Sequence, residues 1–151
     1  MEIANITDTF IVVSVAGTHY ALPTGGVQHM EMVETMTRVP NAAPFVDGVV
    51  FSRGQVVPAV NLRARFGFER MPYDVRTRLA VVNAGGRQVG LIVDEAREFL
   101  HVPAESIQAP QDALAGISGE YVHGIASIDG RLIVVLKLDS LLNFSEPLVA
   151  A

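Results

Sequence analysis

What most constrains this chain is a rhythm of short aliphatic runs, each closed by a glycine-centred reversal. Residues 10–15 turn at Ala16-Gly17-Thr18 into 19–22, and residues 46–51 turn at Ser52-Arg53-Gly54 into 55–60. Residues 77–82 pass through Asn83-Ala84-Gly85-Gly86-Arg87 into 88–93, and residues 125–128 turn at Asp129-Gly130 into 131–138. β-Branched side chains suit a pleated, half-buried surface, and glycine supplies the positive φ that tight hairpins need. Short strands at this spacing predict an all-β barrel or sandwich. Residues 132–136, Leu-Ile-Val-Val-Leu, are apolar without alternation, so both faces of that strand are expected to be buried. One small barrel has only one inside, so such a strand calls for two packed units.

The intervening segments are read from their punctuation. Pro58 interrupts the second run of the central hairpin and predicts an edge or a bulge there, where a missing N–H does no harm. Residues 61–66 read as a short helical turn with Asn61 as N-cap and Gly67 as its stop. After Thr24-Gly25-Gly26, the residues Val27, Met30 and Val33 fit a short apolar helical face, with the two glycines weighing against it. Residues 37–39 precede Pro40 and are expected to be extended. Residues 68–76 lack periodicity and read as a surface loop. Residues 96–102 read as a strand with Phe99 and His101 on one face and Glu98 and Leu100 on the other. Residues 103–119 form a long connection, Asp139 is placed to cap a helix over 140–144, and the tail 146–151 is expected to fray.

With 151 residues, one ordinary domain with a real core is expected. Only 18% of residues are charged, against roughly 25% in typical soluble domains, which leaves apolar surface for partners to cover. A net charge of −5 argues against a nucleic-acid partner. With no cysteine, disulfides and thiolate ligation are excluded. Glu2 and Asp8 precede the first apolar run and the first basic residue is Arg38, which does not suit a signal peptide. No apolar run nears the roughly 20 residues of a membrane span, so a cytoplasmic protein without direct membrane insertion is expected.

Enzymatic signatures are missing. His19, His29, His101 and His123 show no metal-ligand spacing, although strand-borne histidines can converge in space. No nucleophile elbow, Walker loop or dinucleotide fingerprint occurs. Asp94-Glu95 is the one adjacent carboxylate pair; neighbours on a strand point apart, so the expected role is a strand end bonded to backbone N–H groups. Arg63, Arg65, Arg70, Arg76 and Arg78 crowd a short span diluted by Glu69 and Asp74, and read as a solvated face. Arg53, at a hairpin tip, is either an exposed turn residue or half of a bidentate carboxylate pair within the chain or on a partner.

The order Gly48, Arg53-Gly54, Val57-Pro58, Asn61-Leu62-Arg63 and Phe66-Gly67 resembles the signature of the CheW-like family of bacterial chemotaxis coupling proteins. Val89-Gly90-Leu91-Ile92-Val93-Asp94, Glu120-Tyr121-Val122-His123-Gly124, Asp129-Gly130-Arg131 and Leu141-Leu142 extend the resemblance over about residues 10–144. It implies two small five-stranded SH3-like barrels packed on a shared core, interleaved in sequence so that residues 1–151 form one domain with short helices. It implies a non-enzymatic adaptor without cofactors, tying the cytoplasmic tips of chemoreceptors to the regulatory domain of a histidine kinase, and so located at membrane-associated receptor arrays. By position, Val27, Arg53, Gly54, Ala96 and Phe99 fall where the family contacts the receptor, though Val27 and Phe99 also suit a core. Kinase-binding residues are not identified by the match; the family pairs adaptor and kinase through barrel-end loops. Two departures stand out: Phe51-Ser52 replaces the family's Asn-Leu before Arg-Gly, and His29 stands where an acidic residue is common. Alternatives are a CheW-like scaffold for pilus motility, gliding or development, or a small ligand- or metal-binding β-barrel.

Overall fold

The computed structural model describes residues 9–109 and 121–143. Eleven strands in these segments form two sheets. The first contains β3 (Val27–Met32), β4 (Val46–Ser52), β5 (Gln55–Asn61), β6 (Arg78–Ala84) and β7 (Arg87–Val93), ordered β3-β6-β7-β5-β4. The second contains β1 (Thr9–Val15), β2 (Thr18–Pro23), β8 (Glu95–His101), β9 (Ile107–Gln108), β10 (Val122–Ile128) and β11 (Arg131–Leu136), ordered β8-β1-β2-β11-β10-β9. The second sheet thus gains the two-residue β9 beyond the expected five strands, and its β1–β2 hairpin precedes the whole first sheet in the chain. Two short helices, α1 (Leu62–Arg65) and α2 (Leu138–Leu141), complete the described fold.

Each sheet curls around its own apolar interior, and the two barrels share a third core between them. Val50, Val57, Leu79, Val81 and Ile92 fill the first barrel. Phe10, Val12, Ala21, Ile133 and Val135 fill the second. Ile11, Val13, Val15, Tyr20, Val82, Leu91, Val134 and Leu136 lie between them. The alternation of a pleated strand produces this division. On β11, Ile133 and Val135 point into the second barrel and Val134 and Leu136 into the shared core, as the unalternating run implied. Leu132 is the exception: at the tip of that hairpin it stays 69% exposed.

Pro58 occupies an internal strand, since β5 lies between β4 and β7. The N–H and C=O of Val49, opposite Pro58, both bond to Thr37 at 2.8 and 3.0 Å, so Val49 and Pro58 face each other without hydrogen bonds. The parallel ladder to β7 begins only at Ala59. Of the expected edge or bulge, the edge is not found, but a bulge between Val46 and Gly48, opposite Ala59 and Val60, lies beside Pro58 next to this local gap in the ladder.

Two expectations are corrected. Residues 27–32 form β3 rather than a helical face, paired with β6 from Val27↔Val82 to Met32↔Arg78. A bulge between Val27 and His29 turns Val27 and Met30 to the same side, onto the shared core. That is how a strand acquired helix-like i, i+3 spacing. The second helix starts at Leu138 with Lys137 as a cap that makes no side-chain bond, and Asp139 sits in its first turn. Leu138, Leu141 and Leu142 pack into the shared core, so packing rather than a cap sets the helix start. Phe144, the tail 146–151 and much of the 103–119 connection lie outside the described residues.

The turns behave as read. Asp129 and Gly130 close β10 to β11 with φ of 51° and 78°, the two positive values of a type I′ turn. A β-branched residue at the second position is strongly strained. Gly130→Val is expected to lower stability by more than about 1 kcal/mol. A chemical or thermal melt indistinguishable from that of the parent would contradict the turn geometry.

Candidate functional site

The β4–β5 hairpin is closed by the Ser52↔Gln55 pair, with Arg53 at φ 49° and Gly54 at φ 83°. Holding a non-glycine residue in the left-handed region costs roughly 1–2 kcal/mol, so the turn is set by its surroundings rather than by Arg53 itself. The cross-strand pair Phe51 and Val56 faces solvent. Ser52 points the other way, toward the first barrel's interior side, and is only 3% exposed.

Beneath the tip lies a polar cluster. Glu31 Oε2 accepts the Ser52 hydroxyl proton at 2.8 Å and lies 2.7 Å from His29 Nε2. The same ring nitrogen stands 3.1 Å from Ser52 Oγ. A serine–histidine–acid relay uses the two ring nitrogens for different partners. Here one nitrogen meets both, so the cluster braces the turn and does not activate Ser52. His29 and Glu31 arise from β3 opposite Val81 and Leu79, which places both on the barrel-interior side. Arg53, directly above, is exposed and makes no hydrogen bond or ion pair among the described residues.

The apolar candidates occupy edge strands. Val27 begins β3, the edge of the first sheet, and is partly buried against the shared core. Ala96 and Phe99 lie on β8, the edge of the second sheet. Their partners are Val13 and Ile11, and a register shift between Val12 and Val13 brings Ala96 and Phe99 to the same side despite their i, i+3 spacing. All three side chains thus face the shared-core side of their sheets, at its rim. Val27 is largely covered there, whereas Phe99 remains 73% exposed. Arg53 and Gly54 share the hairpin tip on a third element. The five candidates therefore divide between a cationic turn and two apolar edges.

The crowded arginines are only in part a solvated face: Arg70 and Arg76 are exposed, whereas Arg63, Arg65 and Arg78 are half-buried. Arg63 Nε and Nη2 grip Asp94 at 2.9 and 2.7 Å, and Asp94 Oδ2 also accepts the Ala16 amide at 2.9 Å. One carboxylate thereby joins α1 and the end of β7 to the β1–β2 turn of the other barrel. The backbone role expected for Asp94 is present, and the arginine is added to it. Arg65 lies over the rings of Phe45 and Tyr121 at 4.7 and 4.8 Å and donates to the Leu141 carbonyl. Asp47 accepts from Asn61, Arg70 and Tyr73, pinning residues 68–76 to β4. Burial alone pushes the Asp47 carboxyl up, but those three donors outweigh it and hold it below the usual carboxylate range. Arg76 pairs with Asp74, and Arg78 donates to the carbonyls of Val75 and Thr77. Among the described residues, no group of three or more histidine and carboxylate side chains is placed to hold a metal ion. No described helix is long and apolar enough to cross a membrane.

The pattern described as the CheW-like domain matches residues 9–146. A chemotaxis protein CheW from Klebsiella aerogenes is 28% identical over 137 residues, covering 91% of this chain and 82% of its own. Another from Rhizobium meliloti is 34% identical over 110 residues, covering 73% and 71%. The crystal structure of the scaffolding protein TtCheW from Thermoanaerobacter tengcongensis superposes with a TM-score of 0.83 at 28% identity, over 92% of this chain and 90% of that one. The chain belongs to the CheW-like family.

Sequence reasoning found Asp94 and Arg63 separately but not their pairing, which depends on β7 and α1 meeting in space. Asp94→Ala would leave the guanidinium and the Ala16 amide without their acceptor. A loss of about 1–3 kcal/mol is expected, toward the lower end because both side chains keep some solvent contact. A denaturant titration showing no change would mean that the carboxylate does not join the barrels.

Proposed function

We propose that this protein is a non-enzymatic coupling adaptor, tying the cytoplasmic tips of chemoreceptors to the regulatory domain of a histidine kinase at membrane-associated arrays. Family membership over residues 9–146 carries this reading, together with relatives named as chemotaxis and scaffolding proteins. Within it, Arg53 and Gly54 at the hairpin tip, with Val27, Ala96 and Phe99 at the rim of the shared core, form the receptor surface. The supporting observation is Arg53: an exposed guanidinium without a partner among the described residues, held on a turn that is braced from below. A guanidinium in that state suits a carboxylate on a partner, where two parallel hydrogen bonds are available. The kinase takes a different surface, at the barrel ends.

Arg53→Glu replaces an attractive contact by a like-charge clash. Losing a charge-assisted hydrogen bond costs about 1.5–3 kcal/mol, or roughly ten- to more than hundredfold in receptor affinity. Folding should change by no more than about 0.5 kcal/mol, as for an ordinary surface position. Binding to the kinase regulatory domain should persist. Titrations with purified receptor fragment and kinase domain, alongside melts, decide the point. Normal receptor binding would reduce Arg53 to a turn residue, and loss of both partners would make it structural.

A further inference from the structure

Glu31 raises a problem for a free arginine at position 53. Its carboxylate bonds to Ser52, the residue immediately before Arg53, so a flexible guanidinium has an acidic group close at hand. An internal partner at such high effective concentration would compete with any carboxylate on another protein. Two groups meet the Glu31 carboxylate: the Ser52 hydroxyl donates to Oε2 at 2.8 Å, and His29 Nε2 lies 2.7 Å from the same oxygen. An ionised carboxylate can only accept, which places the ring proton on Nε2. Asp47, at the far end of β4 from the tip, is held by Asn61, Arg70 and Tyr73, and Glu34, exposed beyond β3, lines the groove that Glu31 and Phe51 share. Glu31 is thus the engaged acid bonded to the residue next to Arg53, and Arg53 is left unpaired among the described residues.

We propose that His29 is a specificity-determining positioning residue for the receptor contact: it ties Glu31 down beside Ser52 and so reserves Arg53 for a carboxylate on the partner. This rests on the reading of Arg53 as a receptor contact. His29 acts through Glu31 and Arg53 and does not touch the partner; its side chain is only 10% exposed, beneath the turn. Glu31, at 31%, has the solvent access to turn toward Arg53 once the histidine no longer holds it. The partner so selected presents an acidic side chain to the tip.

The test uses the full chain and a purified receptor cytoplasmic fragment, with affinities measured at low and moderate salt. His29→Phe keeps a ring in the buried site but removes the donor. It is expected to weaken receptor binding about tenfold, the loss of one charge-assisted contact, and to flatten its salt dependence. Adding Glu31→Gln removes the competing charge while keeping an acceptor for Ser52, and should restore affinity to within about twofold of the parent. Glu31→Gln alone should bind the receptor as the parent does. Rescue is the decisive readout, because a histidine needed only for packing is not replaced by neutralising its neighbour. If the double variant binds as poorly as His29→Phe, if His29→Phe binds normally, or if Glu31→Gln alone loses the receptor, the inference is overturned. The single Glu31→Gln arm applies even if His29→Phe fails to fold. Arg53→Glu run in parallel separates the two claims. Unchanged binding there refutes the receptor role of Arg53 and this inference with it, whereas lost binding without rescue refutes the role of His29 alone.

Discussion

Val134 and Leu136 enter one apolar core from β11 while Ile133 and Val135 enter another, so over 133–136 this strand has no face left for water. The same division recurs on β1, with Phe10 and Val12 on one side and Ile11, Val13 and Val15 on the other. Strands of this kind are stable only if each sheet covers the other, and neither barrel could stand alone without exposing the shared core. The polar joints sit where that packing needs fixing in register. Asp94 binds Arg63 and the Ala16 amide across the junction, and Arg65 spans the rings of Phe45 and Tyr121. Apolar burial brings the barrels together, and these directional contacts fix how they meet.

The candidate surface depends on this joint. Ala96 and Phe99 reach the rim of the shared core because β8 extends the second sheet past it, and Val27 does so from the edge of the first. In both strands a bulge aims the side chains, turning residues three apart to one side. Bulges re-aim side chains without interrupting a sheet, which suits the receptor surface proposed at these edges. Arg53 stands apart on a turn, with Ser52, Glu31 and His29 below it. A charged contact on a braced turn loses little conformational freedom on binding, and that favours specificity.

Much of this was legible in the chain itself. The glycine turns and the cap at Asn61 follow from local chemistry and came out as read, and β11 is doubly buried as read except at Leu132. Val27 and Met30 misled because a bulge imitates helical spacing, and nothing in one strand reveals what its neighbour's register does. The arginines misled for a related reason. Asp94 lies 31 residues from Arg63, and Asp47 lies 23 from Arg70, so composition showed a basic span where folding makes pairs. The His29–Glu31–Ser52 cluster was half visible: His29 stood out as unusual, but its link to Ser52 exists only once β3 and the β4–β5 tip close the same end of the first barrel.

On the proposed reading the double barrel presents two different surfaces, one to a receptor and one to a kinase. Amide hydrogen exchange of the protein, alone and saturated with each partner in turn, tests it most directly. The receptor fragment is expected to protect the Ser52–Gln55 turn and the β8 edge around Phe99, and the kinase regulatory domain to protect other segments and leave those exchanging freely. Protection of the turn and the β8 edge by the kinase domain, or the same footprint from both partners, would contradict it.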